Sequence, residues 1–142
     1  MKVMDDIEFT LGECDPIDRF LADRIYEFNA RAISCADGES FAAVGRDPSG
    51  AIIAGVSGYT WAGCCHISGL WVAELLRAKG VGRALLLAVE SHARVRGCKI
   101  ILLSSHSFQS PGFYERLGYV RQASIADHPV GHTNIILAKR LS

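Results

Sequence analysis

The sequence predicts an α/β protein of the layered α+β kind, in which a mixed, mostly antiparallel central sheet of about six or seven strands is flanked by helices. Two observations predict this class. Short apolar segments alternate with helical patterns in the order β-α-β-β-β-α-β-α-β-β, which places a sheet against helices. Turn signals at 46–50 and 62–63 separate consecutive strands, which favours antiparallel hairpins.

The first third of the chain predicts one short strand and one helix. Residues 7–12 have the length and composition of a strand. Asp15 is placed to cap a helix that has Pro16 at its first position. Apolar side chains then recur at helical spacing and predict one buried helix face, formed by Ile17, Phe20, Leu21, Ile25 and Phe28.

The rest of the chain predicts a meander, a long helix, a parallel strand, a short helix and two final strands. The meander comprises 40–45, 51–61 and 64–72. The long helix begins at Val81 and ends at Gly97, and 99–105 is a continuous apolar run typical of a buried parallel strand. Ser110 and Pro111 begin the short helix, Gly118 follows it, and the last strands are 119–126 and 133–139. The apolar face of the long helix is predicted to be Val81, Leu85, Ala88, Val89 and His92.

The bulk properties predict one cytoplasmic domain over residues 1–142. With 15 basic and 15 acidic residues, the chain lacks the basic excess of a nucleic-acid binder. No apolar run reaches the ~18 residues of a membrane helix, and no signal segment is evident. Five cysteines without a C-x-x-C pair favour reduced thiols, and Cys64, Cys65 and His66 lack a further ligand for a metal. We therefore expect no nucleic acid, no membrane and no metal.

The segment Arg77-Ala-Lys-Gly-Val-Gly-Arg-Ala84 predicts an anion site. It is a glycine-bearing turn before an amphipathic helix, where unpaired N–H groups and the helix dipole attract negative charge. Gly80 and Gly82 let a phosphate approach the main chain, and the basic side chains add full charges. The segment matches neither the G-x-x-x-x-G-K-[ST] loop nor the dinucleotide fingerprint. A phosphorylated cofactor is therefore expected.

Two motifs together resemble the GNAT acetyltransferase superfamily. The first is R-x-x-G-x-G at 77–82, preceded by the strand Leu70-Trp71-Val72. The second is Phe113-Tyr-Glu-Arg-Leu-Gly-Tyr119, about 30 residues further on. The resemblance covers roughly residues 53–138, and it implies a GNAT-like fold and acetyl-CoA as the cofactor.

The resemblance also implies roles for particular residues. The main chain of Leu70, Trp71 and Val72 would bind the pantetheine arm, and an N–H near Val72 would polarise the thioester carbonyl. Tyr114 would protonate the departing thiolate. Ser107 stands where many relatives carry an asparagine that contacts the cofactor. The pyrophosphate would lie on the turn formed by Arg77, Ala78, Lys79, Gly80, Val81, Gly82, Arg83 and Ala84.

The general base stays open at this point. The candidates are Glu74 after the strand, His66 at the start of that strand, and His106 beyond the next strand. His128 and His132 fall in the loop between the last two strands, which borders the acceptor side in the family. That loop equally fits an ordinary turn built on Pro129 and Gly131.

The expected function is an acetyl-CoA-dependent N-acetyltransferase that acts on a primary amine by direct attack in a ternary complex. The acceptor is a small molecule or a protein amine. One alternative is a catalytically inactive CoA-binding regulatory or interaction module, and another is an α/β domain for a different nucleotide. A homodimer is compatible with the sequence, because 133–139 is apolar enough to pair at a sheet edge.

Overall fold

The structure, a computed structural model, describes residues 7–12 and 14–142. The chain divides into two units, one up to Ala36 and one over Asp37–Ser142. In the first unit, α1 spans Ile17–Ala32. The second unit contains β1 (Glu39–Arg46), β2 (Ile52–Trp61), β3 (Cys64–Val72), α2 (Val81–Val95), β4 (Ile100–His106), α3 (Pro111–Arg116), β5 (Val120–Ala126) and β6 (Thr133–Arg140). The prediction of one domain over residues 1–142 stays a prediction.

The first unit corrects three expectations. Residues 7–12 are exposed and form no strand. The helix begins after Pro16 without a side-chain cap, so Asp15 lies one residue too early to cap it. The five apolar side chains expected to be buried are each more than half exposed, Ile17 at 54% and Phe28 at 73% among them. Periodicity identifies an apolar stripe, but it does not supply a surface that covers the stripe.

The sheet confirms the predicted class. In the described ranges, six strands pair in the order β1-β2-β3-β4-β6-β5, and only β3 and β4 are parallel. β6 lies between β4 and β5, so the expectation that it could pair with a second copy at an edge is wrong. The apolar run at 99–105 does become the parallel strand β4, within one residue at each end.

α2 covers the core of the sheet. Its buried residues are Leu86, Val89, Glu90 and Ala93. Of the predicted face, Val89 is buried and Leu85 packs against the core while partly buried, whereas Ala88 is exposed. Glu90 was not predicted on the buried face, yet it is 2% exposed and receives a hydrogen bond from the Lys139 ammonium of β6. A buried carboxylate with a cationic partner is a tertiary feature that hydropathy does not detect. The surrounding core includes Val56, Cys65, Ile67, Ile101, Leu103, Ile135 and Leu137.

Gly58 allows β2 and β3 to approach each other at a bulge. A Cβ there would lie 2.1 Å from the carbonyl oxygen of His66 and 2.8 Å from Cζ of Phe41. We expect Gly58→Ala to lower the free energy of unfolding by about 2–4 kcal/mol, because strand backbone must move to relieve the clash. Urea denaturation measures this loss. Gly45→Ala in β1 is the control, since its Cβ would make only one contact at 4.0 Å. Equal losses in the two variants would contradict the prediction.

Candidate active site

A cavity of about 730 Å³ lies within the second unit. Its walls are the second half of β3, the end of β4, the turn before α2, the first residues of α2, and α3. This volume is in the range of ligand sites. The cavity therefore brings the two sequence motifs, at 77–82 and 113–119, to one site.

The cavity opens where β3 and β4 stop pairing. Their parallel register covers three pairs and ends at His66 and Leu102. A β-bulge follows immediately on β3. Ser57 pairs with Gly69 and Gly58 pairs with Ile67, so Ser68 is the extra residue of the bulge. Beyond this point both strands line the cavity, β3 through Ser68 to Val72 and β4 through Ser104 and Ser105.

The main chain of β3 is directed into this gap at Val72. The N–H of Ala73 donates to the carbonyl of Ile53 at 2.9 Å, which makes these two residues a hydrogen-bonded pair. The next antiparallel pair, Ala54 with Val72, is then non-hydrogen-bonded, so the polar groups of Val72 point away from β2. The Val72 carbonyl accepts a hydrogen bond from Nε of Arg77 at 3.0 Å. The Val72 N–H faces the same side and is placed to bind a ligand.

The turn before α2 exposes main-chain donors to the cavity. Ala78 and Gly80 have φ of 60° and 85°, and α2 begins at Val81 without a side-chain cap. Ala84 donates to the carbonyl of Gly80 at 3.0 Å, as in the first helical turn, so its own N–H is already used. The N–H groups before Ala84 have no partner within the helix. The start of α2 is thus suited to a phosphate.

The predicted turn residues divide between the cavity wall and its surroundings. Arg77, Ala78, Gly80, Val81, Gly82 and Arg83 line the cavity. Lys79 and Ala84 are exposed and do not line it. The Nε of Arg77 is used in the bond to Val72, which ties the turn to the end of β3. Their roles toward the cofactor stay predictions.

Tyr114 lines the cavity from α3 and is half-buried. Burial raises the pKa of its phenol above the usual value, so the hydroxyl stays protonated at neutral pH. Its ring meets those of Phe113 and Tyr119 edge to face, with centroids 5.1 Å and 5.9 Å apart. The site therefore holds a neutral O–H donor.

The end of α3 is fixed to the rest of the unit. Gly118 has φ of 95°, and the N–H of Tyr119 donates to the carbonyl of Tyr114 at 3.1 Å. The Lys139 ammonium donates to the carbonyl of Leu117 at 2.8 Å as well as to Glu90. The buried Glu90 and its partner thereby hold the helix that carries Tyr114.

The other sequence candidates lie outside the cavity wall. Glu74 is exposed at the start of a 3₁₀ turn (Glu74–Leu76). His66 stacks on Tyr59, and burial lowers the pKa of its imidazole. Nδ1 of His106 lies 3.0 Å from the carbonyl of His128. Ser107 accepts a hydrogen bond from the N–H of Thr133 at 3.1 Å. The structure does not bring these four to the cavity, and their catalytic or binding roles stay predictions.

The loop between β5 and β6 reaches the cavity indirectly. Phe108 lines the cavity, stacks on His106 at 5.3 Å and meets His132 edge to face at 5.0 Å. The ring of His128 lies 5.9 Å from that of His106. The histidines of this loop therefore support a cavity residue, Phe108.

Sequence reasoning missed about half of the cavity wall. Ser104 and Ser105 had a usable signal, since they end the strand parallel to β3. The others depend on how α3 and the β3 bulge are placed, which no local pattern indicates. The missed residues are Ser68, Gly69, Leu76, Ser104, Ser105, Phe108, Gln109, Ser110, Phe113 and Arg116.

The residues present fit the phosphorylated cofactor that the motifs imply. Among the residues that the structure describes, the wall contains three arginines, an uncapped helix start and no aspartate or glutamate. Gly82 packs directly on α3, because a Cβ there would lie 3.1 Å from Cζ of Phe113. Among residues 7–12 and 14–142, no cluster of three His, Cys, Asp or Glu side chains could hold a metal. No helix in the same ranges is long and apolar enough to cross a membrane.

Comparisons with known proteins show the family and the fold. The model of the family described as "Acetyltransferase (GNAT) family" matches residues 4–119. Blasticidin-S acetyltransferase of Streptomyces morookaense is 36% identical over 104 residues, which are 72% of this chain and 76% of that protein. The crystal structure of an acetyltransferase from Bacillus cereus ATCC 14579 has a TM-score of 0.78 and 31% identity, covering 94% of this chain and 98% of that one. An aminoglycoside 6'-N-acetyltransferase complexed with coenzyme A has the same fold, with a TM-score of 0.64 and 16% identity over 93% of this chain and 97% of that one.

Proposed function

Because the chain belongs to the acetyltransferase (GNAT) family and uses acetyl-CoA as its acetyl donor, we propose that it acetylates a primary amine of a small molecule by direct attack in a ternary complex. One observation carries this proposal. The glycine-bearing turn before α2, the separated ends of β3 and β4, and Tyr114 line one cavity. The single-domain organisation over residues 1–142 is part of the same proposal.

Each part of the cavity has a role in this reaction. Bound acetyl-CoA supplies a thioester, whose cleavage leaves a thiolate. The turn residues Gly80 to Arg83 bind phosphate, and the Val72 N–H donates to the thioester carbonyl oxygen. Tyr114 holds a proton at its hydroxyl and donates it at the sulfur. We retain Glu74 as the group that accepts a proton from the amine, directly or through water.

The cysteines support direct attack over a covalent acetyl-enzyme. No cysteine lines the cavity. Burial raises the pKa of the Cys65 thiol to about 12 and also raises that of Cys98, and a thiol nucleophile needs the opposite shift.

The acceptor is tested by incubating the protein with acetyl-CoA and single amines, and following thiol release and the mass of the product. Blasticidin S is the first amine to try, because a relative with 36% identity is named for it. We expect acetylated small amine, intersecting initial-velocity lines and no acetylated protein intermediate. Acetylation of lysine peptides alone would overturn the small-molecule acceptor. Parallel lines with an acetylated cysteine would overturn direct attack.

A further inference from the structure

Three guanidinium groups of the described residues line the cavity, and one of them is hydrogen-bonded to another residue. Nε of Arg77 donates to the Val72 carbonyl. Arg83 and Arg116 also line the cavity, and in the part of the chain that the structure describes no hydrogen bond or ion pair engages either side chain. No carboxylate of the described residues lines the wall. Two unneutralised cations therefore face the same space.

Arg116 reaches this space from α3. A Cβ on Gly112 would lie 3.5 Å from its Nη1, so the side chain folds back over the first turn of α3. Phe113 of the same helix packs on Gly82, which brings α3 against the start of α2. The adjacent Glu115 pairs with Arg121 at 2.9 Å, so this carboxylate is engaged elsewhere.

The anionic groups of CoA exceed what the turn can bind. CoA carries a pyrophosphate and, on its ribose, a separate 3′-phosphate. The main-chain N–H groups at the start of α2, with Arg83, suit the pyrophosphate. The 3′-phosphate is a second anion at a different position, and a planar guanidinium can bind it with two parallel hydrogen bonds.

We propose that Arg116 binds the 3′-phosphate of CoA and so makes the protein select CoA over 3′-dephospho-CoA. This assignment rests on the proposed function, in that CoA occupies the cavity. Arg116 is here a specificity determinant that contacts the cosubstrate far from the reacting thioester.

The test is calorimetric titration of the wild type, Arg116→Ala and Arg116→Lys with CoA and with 3′-dephospho-CoA. The wild type is expected to bind CoA about tenfold or more tightly than 3′-dephospho-CoA. Arg116→Ala should lose this preference, and its affinity for 3′-dephospho-CoA should stay within about twofold of the wild type. Arg116→Lys should retain part of the preference for CoA, since lysine keeps the positive charge but lacks the planar guanidinium.

Arg94→Ala is the matched control, because Arg94 is an exposed arginine of α2 outside the cavity and its loss changes net charge equally. It should retain the wild-type preference. Equal affinities of the wild type for the two nucleotides would overturn the assignment. So would an equal loss for both nucleotides in Arg116→Ala, which indicates a pyrophosphate contact. Absence of wild-type binding to either nucleotide would instead overturn the proposed function, and this assignment with it.

Discussion

Gly80→Asp is expected to weaken acetyl-CoA binding by roughly 30- to 100-fold. Gly80 lines the cavity at the start of α2, and a Cβ there would meet no protein atom within 4 Å. The aspartate side chain would therefore enter the space proposed for the phosphates without a steric clash with other protein atoms. Two unit charges ~5 Å apart repel by about 3 kcal/mol at an effective dielectric constant of ~20, and exposure of the turn reduces this. Calorimetric titration with acetyl-CoA measures the loss.

Gly80→Asn separates the effect of charge from that of backbone strain. Gly80 has φ of 85°, in the left-handed region that both asparagine and aspartate tolerate better than other side chains. The two substituents have nearly the same shape, so the strain and the lost space are matched. We expect Gly80→Asn to bind within about tenfold of the wild type, and the difference from Gly80→Asp to shrink in high salt. Equal affinities of the two variants would contradict phosphate binding at this turn.

Tyr114→Phe is expected to lower kcat by about 100-fold and to change the Kd for acetyl-CoA by less than about threefold. The substitution removes the hydroxyl that we propose protonates the departing sulfur, and it keeps the ring between Phe113 and Tyr119. Steady-state kinetics and calorimetry on the same preparation measure both effects. An unchanged kcat would show that the proton comes from solvent or from another residue.

Tyr119→Phe is the matched control. Its hydroxyl is buried and, in the described part of the chain, makes no hydrogen bond, and the residue does not line the cavity. We expect an unchanged kcat. The free energy of unfolding should be equal or higher, because the substitution removes a buried hydroxyl that has no hydrogen-bond partner.

The pH dependence of kcat offers a further check on Tyr114. Burial raises the pKa of its phenol, so the protonated form that donates persists to higher pH than for a free tyrosine. Loss of the donor should therefore begin only above pH ~10. A decline in kcat between pH 7 and 9 that Tyr114→Phe abolishes would contradict a raised pKa.

Much of the fold was predictable because its signals are local. The hairpin turns, the glycines that end α2 and α3, and the apolar run of β4 each act within a few residues, and all appear in the structure. The glycine-bearing turn before α2 was predictable for the same reason. The predicted strand at 7–12 failed, because a strand exists only when another strand pairs with it.

The sequence by itself determined the family motifs, the order of the elements from α1 to β6 and the glycine-bearing turn before α2, because each depends on residues close together in the chain. Only the tertiary structure decided the shape of the site. The divergence of β3 from β4, the interior position of β6, the burial of Glu90 against Lys139 and the placement of Arg116 depend on contacts between distant segments. Such contacts form where packing of the whole sheet brings the segments together, and no local pattern records them.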